Sequence, residues 1–569
     1  MSLFERLGLL VLGLVLFLPG IGGRDLWNPD EPRYAEVARE MRLTGDWFVP
    51  HLNGQIYSEK PPLLFWLISA ASAIPGDVTP VSARIPSLFA GLATIFLLFG
   101  MAQRLFDRRV AWWSVLIFAT AGRILWQARV GQIDMLLLGF VTLAMYFFVR
   151  GWVEHRPGFF RLFFLAAGLG TLAKGPVGLV PPLLSIVAFA FLTRDRARLR
   201  EMRIPTGLLI WAAVVLCWLV PAALSAGTAY FETMVIKQNV TRYAEPWHHF
   251  HPFYYYLTTA PADFLPWIFF LPGALWLGWR RATGNERRGY LFALSWMAVT
   301  IVFFSCSPAK RTVYVLQMFP AMAMIVAWSF AEIEHSWDRL RRFVRVPMTL
   351  LVALFAALPL GWLGLEKFRP ERAQKILADL EPLGAGLIPQ LALVVALLLV
   401  GGIVAWVLGR RGGPGRMTAA LATAMGAAAI AAVLLVLPRF DRVKSARPLA
   451  QKLVELAAPG EPYAIYPRLD PRFVFHTRRF AETPDTEADL AKFVERGNAW
   501  LLISKPALAG LEAPLPLSEI QRDDARDDGY VLMKSVAAPA PAPPEKLVLP
   551  QPAESPAGAA TSKTVPLSD

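Results

Sequence analysis

Asp25-Leu26-Trp27-Asn28-Pro29-Asp30-Glu31-Pro32-Arg33-Tyr34 follows directly on an apolar span near residues 4–22. Ionisable groups gathered beside a membrane span are expensive, and acids in such a place usually do chemistry. Further on, Tyr57-Ser58-Glu59-Lys60-Pro61-Pro62 forms a second charged cluster that again leads straight into an apolar segment. The two clusters bracket one loop at one membrane face, and that loop is the first candidate for an active site.

Working outward, the 569 residues are 55% apolar and only 18% charged, with 19 Trp and 37 Phe, which is too apolar for a soluble multidomain protein. The chain reads as a polytopic α-helical membrane protein. A bilayer core about 30 Å thick needs roughly 20 apolar residues per helix. Such stretches, some shortened by Pro or Gly, recur at about thirteen places, near residues 4–22, 84–104, 110–122, 131–149, 159–172, 176–193, 205–226, 264–279, 289–305, 312–330, 346–364, 386–409 and 417–437. The first is followed by acidic residues and not by a small-residue cleavage site, so it reads as a retained anchor and not a signal peptide.

Orientation follows from the arginines, because Lys and Arg are held back on the cytoplasmic side. The even-numbered connections are the basic ones. They carry Arg108 and Arg109, then Arg150 and Arg156, the cluster from Arg194 to Arg203, Arg280 to Arg288, Arg339 to Arg345, and Arg410 to Arg416. The amino terminus is therefore cytoplasmic and the loop 23–83 lies outside. An odd number of spans places everything after Leu437 outside as well. The net charge of +14 is mostly topology, and basic residues scattered over short loops give no nucleic-acid surface. Cys217 and Cys306 sit in apolar spans and imply neither a disulfide nor a zinc motif.

The loop 23–83 is patterned: Glu31 to Leu43 has apolar positions at helical spacing, and Leu63 to Ile74 is apolar but too short to cross. Both read as helices along the membrane surface. A second outside loop, 227–263, holds Lys237, Arg242, Tyr243 and the run from His248 to Tyr256, whose aromatics suit the interface belt. From about residue 441 the composition turns mixed. Strand-like runs at Tyr463–Tyr466, Arg472–Phe475, Trp500–Ser504 and Tyr530–Met533, with a helical pattern at 486–496, predict a small outer α/β domain over 441–535. Residues 536–569 are Pro/Ala-rich and are expected to be disordered.

Asp30-Glu31, Glu59-Lys60-Pro61-Pro62, Gln132-Ile133-Asp134, Lys174-Gly175-Pro176 and Lys310-Arg311-Thr312-Val313-Tyr314 occur in this order. Over residues 1 to about 440 the chain thereby resembles the lipid-carrier-dependent glycosyltransferases of the protein O-mannosyltransferase superfamily, and within it the bacterial lipid A aminoarabinose transferases. The resemblance implies a GT-C fold, an undecaprenyl-phosphate-linked sugar donor, and an active site at the periplasmic face of the inner membrane. The arginine count alone gives the same orientation.

The resemblance also implies residue roles. Asp30 matches the family's catalytic acid; its plain alternative is a helix N-cap. A carboxylate there could take a proton from an acceptor hydroxyl. Were the acceptor a phosphate, whose second pKa is about 6, it would instead orient the acceptor or stabilise an oxocarbenium-like sugar. Asp134 matches the second acid, with a substrate-positioning role or a salt bridge to Arg129 or Arg33. Departure of undecaprenyl phosphate leaves growing negative charge, where the largest catalytic term should lie. The groups expected to bind carrier phosphate or substrate are Arg33, Tyr34, Glu59, Lys60, Lys174, Arg242, Lys310 and Tyr314. The plain alternative for each cation is a headgroup contact. No metal is required; His248, His249 and His251, with Glu59, offer at most a zinc site of undiagnostic spacing.

The expected activity is transfer of a sugar, 4-amino-4-deoxy-L-arabinose by resemblance, from undecaprenyl phosphate to a lipid A phosphate. A cationic sugar there would lower surface charge and weaken binding of cationic peptides such as polymyxin. Alternatives are transfer of a hexose, galacturonic acid or mannose to lipopolysaccharide or protein, or a lipid-linked sugar flippase. A flippase tends to carry internal repeats and midplane charges, whereas here the acids cluster at one face and no halves repeat.

Overall fold

A computed structural model describes residues 1–227, 230, 232–234, 250–523 and 528–536. The chain divides into two units, each taken by itself below: residues 1–25, 37–50 and 56–441, and residues 26–36, 51–55 and 442 onward.

In the first unit every one of the apolar stretches is helical. Seven helices among the described residues are long and apolar enough to cross a membrane, and an eighth is a pair, Tyr255–Asp263 and Trp267–Arg281, bent by 117°. One of the seven, Leu387–Lys444, is two helices joined at Gly413, whose φ of 78° and following Pro414 break the hydrogen-bond ladder. The remaining stretches are shorter helices: Leu3–Phe17, Arg108–Ala119, Gly158–Lys174 and Pro176–Leu192. The chain is a multi-pass membrane protein of the expected helical architecture. Local signals set the starts. Ser2 and Glu5 form a capping box, as do Thr79 and Ser82 ahead of Pro80–Leu105, with Pro80 supplying a first-turn residue that needs no donor. Thr312–His335 is the axis, with 89% of its apolar window buried, whereas Leu387–Lys444 buries 11% and leaves its apolar face for lipid.

The basic connections meet at one end of the bundle. Arg108 pairs with Glu5 at 2.7 Å, Arg104 and Arg150 with Glu154 at 3.0 and 2.8 Å, Arg109 with Glu334 at 2.6 Å, and Arg281 with Glu332 at 2.7 Å. Trp152 donates to Asp195 at 3.2 Å. These contacts join the start of the chain to the even-numbered connections, as a shared cytoplasmic face requires.

The two helices predicted in the loop 23–83 form, as Asp30–Thr44 and Leu63–Ala71. They differ from the expectation of surface helices: residues 30–41 are buried without exception, including Asp30, Glu31, Arg33, Glu36, Arg39 and Glu40, and Leu63, Leu64, Phe65 and Ile68 are buried too. A helix so rich in charge is sustained inside only by pairing its ions. Between them, β1 (His51–Leu52) and β2 (Gln55–Ile56) form a hairpin around Asn53 and Gly54, both at positive φ, the conformation an Asn-Gly turn supplies. In the second outer loop Phe250, Phe253 and Tyr254 are exposed, as an interfacial belt would be, but Tyr256 is buried.

The second unit carries a four-stranded sheet in the order β3-β4-β6-β5. β3 (Tyr463–Tyr466) runs parallel to β4 (Trp500–Ser504), and β6 (Tyr530–Ser535) is antiparallel to β4 and to β5 (Leu517–Arg522). Alternate residues feed two cores. Tyr463, Ile465, Trp500 and Leu502 pack with Leu449, Leu453 and Phe473, while Ala464, Tyr466, Leu501 and Ile503 pack with Leu490 and Phe493. Covered on both faces, β3 and β4 read as unbroken apolar runs.

Residues 472–475 are not a strand. Asp470 accepts from the Arg472 N–H at 3.0 Å as N-cap and Pro471 opens the helix Pro471–Thr477, so start signals override the β-propensity of Phe-Val-Phe. The helices Arg447–Leu456 and Glu487–Glu495 flank the sheet. β5 escaped notice because it is a polar, largely exposed edge without alternation.

Candidate functional site

Helix Ile133–Val153 opens just after Gln132, which puts Asp134 in its first turn, where the helix dipole favours a carboxylate. Helix Gly158–Lys174 ends on Lys174 because Gly175 takes a φ of 85° and Pro176 begins the next turn. The two ends meet: the Lys174 ammonium donates to an Asp134 carboxylate oxygen, with 15% and 7% of the two side chains exposed. The same ammonium stands 4.5 Å from the ring centre of Tyr314, on the short 3-10 helix Thr312–Met318. Asp134 thus pairs with Lys174, forty residues on, and not with Arg129. Arg129 donates instead to the carbonyls of Leu16, Pro19 and Leu125.

Beside this triad lies a cavity of about 200 Å³, lined by Glu59, Lys60, Lys174, Tyr314 and Gln317 among apolar residues that include Met234 and Phe304. Glu59 accepts from the Tyr57 hydroxyl at 3.4 Å, and its carbonyl accepts from Lys60 Nζ at 3.2 Å. Four of the predicted residues, Glu59, Lys60, Lys174 and Tyr314, therefore line one cavity, and Asp134 anchors its lysine. Two ammoniums and the Glu59 carboxylate stand among apolar side chains at this wall, with Asp134 paired to one of the ammoniums.

Lys310 does not line it. Its ammonium donates to the carbonyls of Ser307 at 2.5 Å, His251 at 2.9 Å and Pro308 at 3.5 Å, which clamps the connection 307–311. It is 2% exposed, and burial lowers its pKa below the ordinary lysine value. Its donors are turned to backbone carbonyls and away from the cavity lining.

Arg242, His248 and His249 lie outside the described residues. The His251 ring stacks on Tyr255 at 4.2 Å. Among the described residues no three His, Cys, Asp or Glu side chains gather as a ligand set for a metal ion.

Asp30, Arg33 and Tyr34 belong to the second unit and are buried there, at 5%, 7% and 2% exposure. The helix begins at Asp30 itself, and Glu31 in its first turn accepts from the Trp27 N–H at 3.3 Å. The preceding residues are tethered to the outer domain. The Asn28 amide donates to the Asp470 carboxylate at 3.2 and 3.3 Å, and Lys444 stands 4.7 Å from the Trp27 ring. Asp470 is held by Arg472 through Nε at 3.1 Å and Nη2 at 2.6 Å. Burial alone would raise the Asp470 pKa, but the Arg472 charge and its hydrogen bonds outweigh it and hold the carboxyl below its usual value. Asn53 and Ala481 exchange two hydrogen bonds of 2.8 Å.

Arg84 was not singled out in the sequence. Fully buried, it donates to the carbonyls of Ile21, Arg24 and Asp25 at 2.8, 3.0 and 2.7 Å and so fixes the exit of the first helix. Gln317 was also missed, although it follows Tyr314 by three residues, the repeat of a 3-10 turn, and so shares its face.

The profile of the dolichyl-phosphate-mannose-protein mannosyltransferase family matches residues 59–220, the stretch holding Glu59, Lys60, Asp134 and Lys174. The undecaprenyl phosphate-alpha-4-amino-4-deoxy-L-arabinose arabinosyl transferase of Pectobacterium carotovorum is 32% identical over 374 residues, 64% of this chain and 66% of the relative. That of Aeromonas hydrophila is 34% identical over 55% of this chain and 58% of the relative. The matched stretch spans less than two thirds of either relative. Among solved structures, ArnT from Cupriavidus metallidurans bound to undecaprenyl phosphate superposes with a TM-score of 0.79 at 23% identity, covering 95% of this chain and all of that one. The apo form of the same enzyme gives 0.77. At this identity the match establishes the fold.

Proposed function

We propose, from the premise that this chain belongs to the lipid-carrier-dependent glycosyltransferases of the protein O-mannosyltransferase superfamily, that it moves 4-amino-4-deoxy-L-arabinose from undecaprenyl phosphate to a lipid A phosphate at the periplasmic face of the inner membrane. The observation that carries this reading is the cavity where Lys60 and Lys174 stand together beside Tyr314.

In the transfer the bond between the sugar's anomeric carbon and the carrier phosphate oxygen breaks, and both electrons leave with undecaprenyl phosphate. A new bond forms from an acceptor phosphate oxygen to the same carbon. Lys60 and Lys174 neutralise the charge that grows on the leaving phosphate, the kind of stabilisation that contributes most when donors are fixed beforehand. Asp134 holds the Lys174 ammonium in place. Asp30 orients the acceptor or faces the positive charge that builds on the ring. An acceptor phosphate arrives largely ionised, so little proton removal is needed; an acceptor hydroxyl would give its proton to Asp30. No step calls for a metal, since protein cations meet the charge.

The test is reconstitution of the purified protein with undecaprenyl-phosphate-linked aminoarabinose and lipid A, read by mass spectrometry of the lipid A. A pentosamine increment on a phosphate supports the reading. A hexose or uronic-acid increment in cells keeps the chemistry and changes the donor. Unaltered lipid A with movement of the donor across vesicles overturns it in favour of a flippase.

A further inference from the structure

Gln317 is 2% exposed and lines the cavity beside Tyr314 and Lys174. Neither its Nε2 nor its Oε1 has a hydrogen-bond partner among the described residues. Natural interiors pair nearly all such atoms, and an amide left unpaired on both ends costs stability that a methionine of equal length would not. An apolar pocket with a few placed polar groups is the usual design of a ligand site, in which the polar groups set orientation and specificity.

We infer that Gln317 reads the sugar of the lipid-linked donor, its amide donating to and accepting from a hydroxyl on the ring. This rests on the transfer reading above and deepens it. The chemistry of the amide selects among the parts of such a donor. An ionised phosphate offers acceptors only, so it would serve Nε2 and leave Oε1 facing an anion. An ammonium offers donors only and would leave Nε2 idle. A polyprenyl chain offers neither. A sugar hydroxyl offers both in one group and gives each end of the amide a partner, alone or beside a neighbouring amino substituent. The cavity, about 200 Å³, lies below the range of about 300–1,000 Å³ found for drug-sized ligands, a size in keeping with one ring. Lys60 and Lys174 on the same wall take the phosphate, so Gln317 becomes the specificity-determining contact one group further along the donor.

The experiment compares full-length wild type with Gln317→Met and Gln317→Glu in the same lipid. Three quantities are read: the melting temperature without donor, the affinity for undecaprenyl phosphate, and kcat/KM for the undecaprenyl-phosphate-linked sugar. Expected for Gln317→Met are a melting temperature equal to or above wild type, undecaprenyl phosphate affinity within about twofold, and kcat/KM lower by roughly 10- to 100-fold, the loss of two hydrogen bonds. Gln317→Glu should also lower kcat/KM, since it turns the donor end into an acceptor. A lowered melting temperature in Gln317→Met would make the amide structural and overturn the assignment. Equal losses for bare carrier and glycosylated donor would move it to the phosphate, and unchanged kcat/KM would remove it altogether. Wild type that fails to bind undecaprenyl phosphate sinks the transfer reading first, an outcome distinct from any defect confined to the variants.

Discussion

Replacing Asp470 with alanine strands a guanidinium inside the outer domain. Arg472 is 8% exposed and holds Asp470 through three contacts of 3.1 Å or less, with its Nη1 on the Lys444 carbonyl at 2.7 Å. Removing one partner of a buried pair costs about 3–5 kcal/mol, because the remaining charge keeps its desolvation penalty without its counter-ion. At about 1.4 kcal/mol per tenfold, amide protection in β4 should fall roughly 10²- to 10⁴-fold in hydrogen exchange on the full-length protein. Exchange is the suitable assay because it reads one region's opening free energy without requiring the membrane helices to melt.

The pair also holds Asn28, two residues before Asp30, so the variant should lose activity along with protection. Asn28→Ala separates the two effects: it should lower turnover while β4 protection stays at wild-type level. Asp470→Ala combined with Arg472→Met removes both charges and should recover most of the lost protection, as replaced ion pairs do. A fall of less than tenfold in Asp470→Ala, or a double variant no better than the single, would refute the account of Asp470 as a buried, paired charge.

Lys60→Ala should lower kcat/KM for the lipid-linked donor by about 10- to 150-fold, the worth of one hydrogen bond to a charged group, and unchanged kinetics would remove Lys60 from the phosphate contacts. Asp134→Asn and Lys174→Met should each destabilise the protein by about 3–5 kcal/mol, with the double variant well short of the sum; additive losses in thermal melting would mean the two do not act as a pair. Glu154 is held at a pKa of about 2, first by its hydrogen bond from Arg150 and then by Arg104, against an ordinary 4.5. A depressed carboxylate contributes fully above its unfolded value, so this contribution is lost as pH falls from about 4.5 towards 2, and the melting temperature of Glu154→Gln should decline less steeply than that of wild type across that window. Parallel slopes would count against the depressed carboxyl.

Much of this was legible in the sequence because hydropathy and arginine placement are local signals. The apolar stretches became helices, and the arginines assigned to one face are tied together there through Glu5, Glu154, Glu332 and Glu334. The grouping of Glu59, Lys60, Lys174 and Tyr314 was legible only through resemblance, since nothing local says that residues 60, 174 and 314 converge. What stayed hidden is tertiary. The partner of Asp134 was sought in Arg129 or Arg33, but it is Lys174; a guanidinium can be consumed by carbonyls, and Arg129 is. The strand expected at 472–475 failed because Asp470-Pro471 starts a helix more strongly than three apolar residues make a strand. Gln317 carries no charge and belongs to no motif, so only its empty hydrogen-bonding capacity marks it.

The two ends of the membrane unit use the same residue types to different effect. At the cytoplasmic end the Arg109–Glu334 pair keeps 51% and 35% of its side chains exposed, so solvent and salt screen it and its worth is small. At the outer end Asp134 and Lys174 are 7% and 15% exposed, where screening is weak and each charge is costly unless answered. Raising ionic strength should therefore loosen the arginine staples and leave the Asp134–Lys174 pair in place. Charge at the first end fixes which way the chain lies in the membrane. Charge at the second is buried and paired, with its lysine at the wall of the cavity.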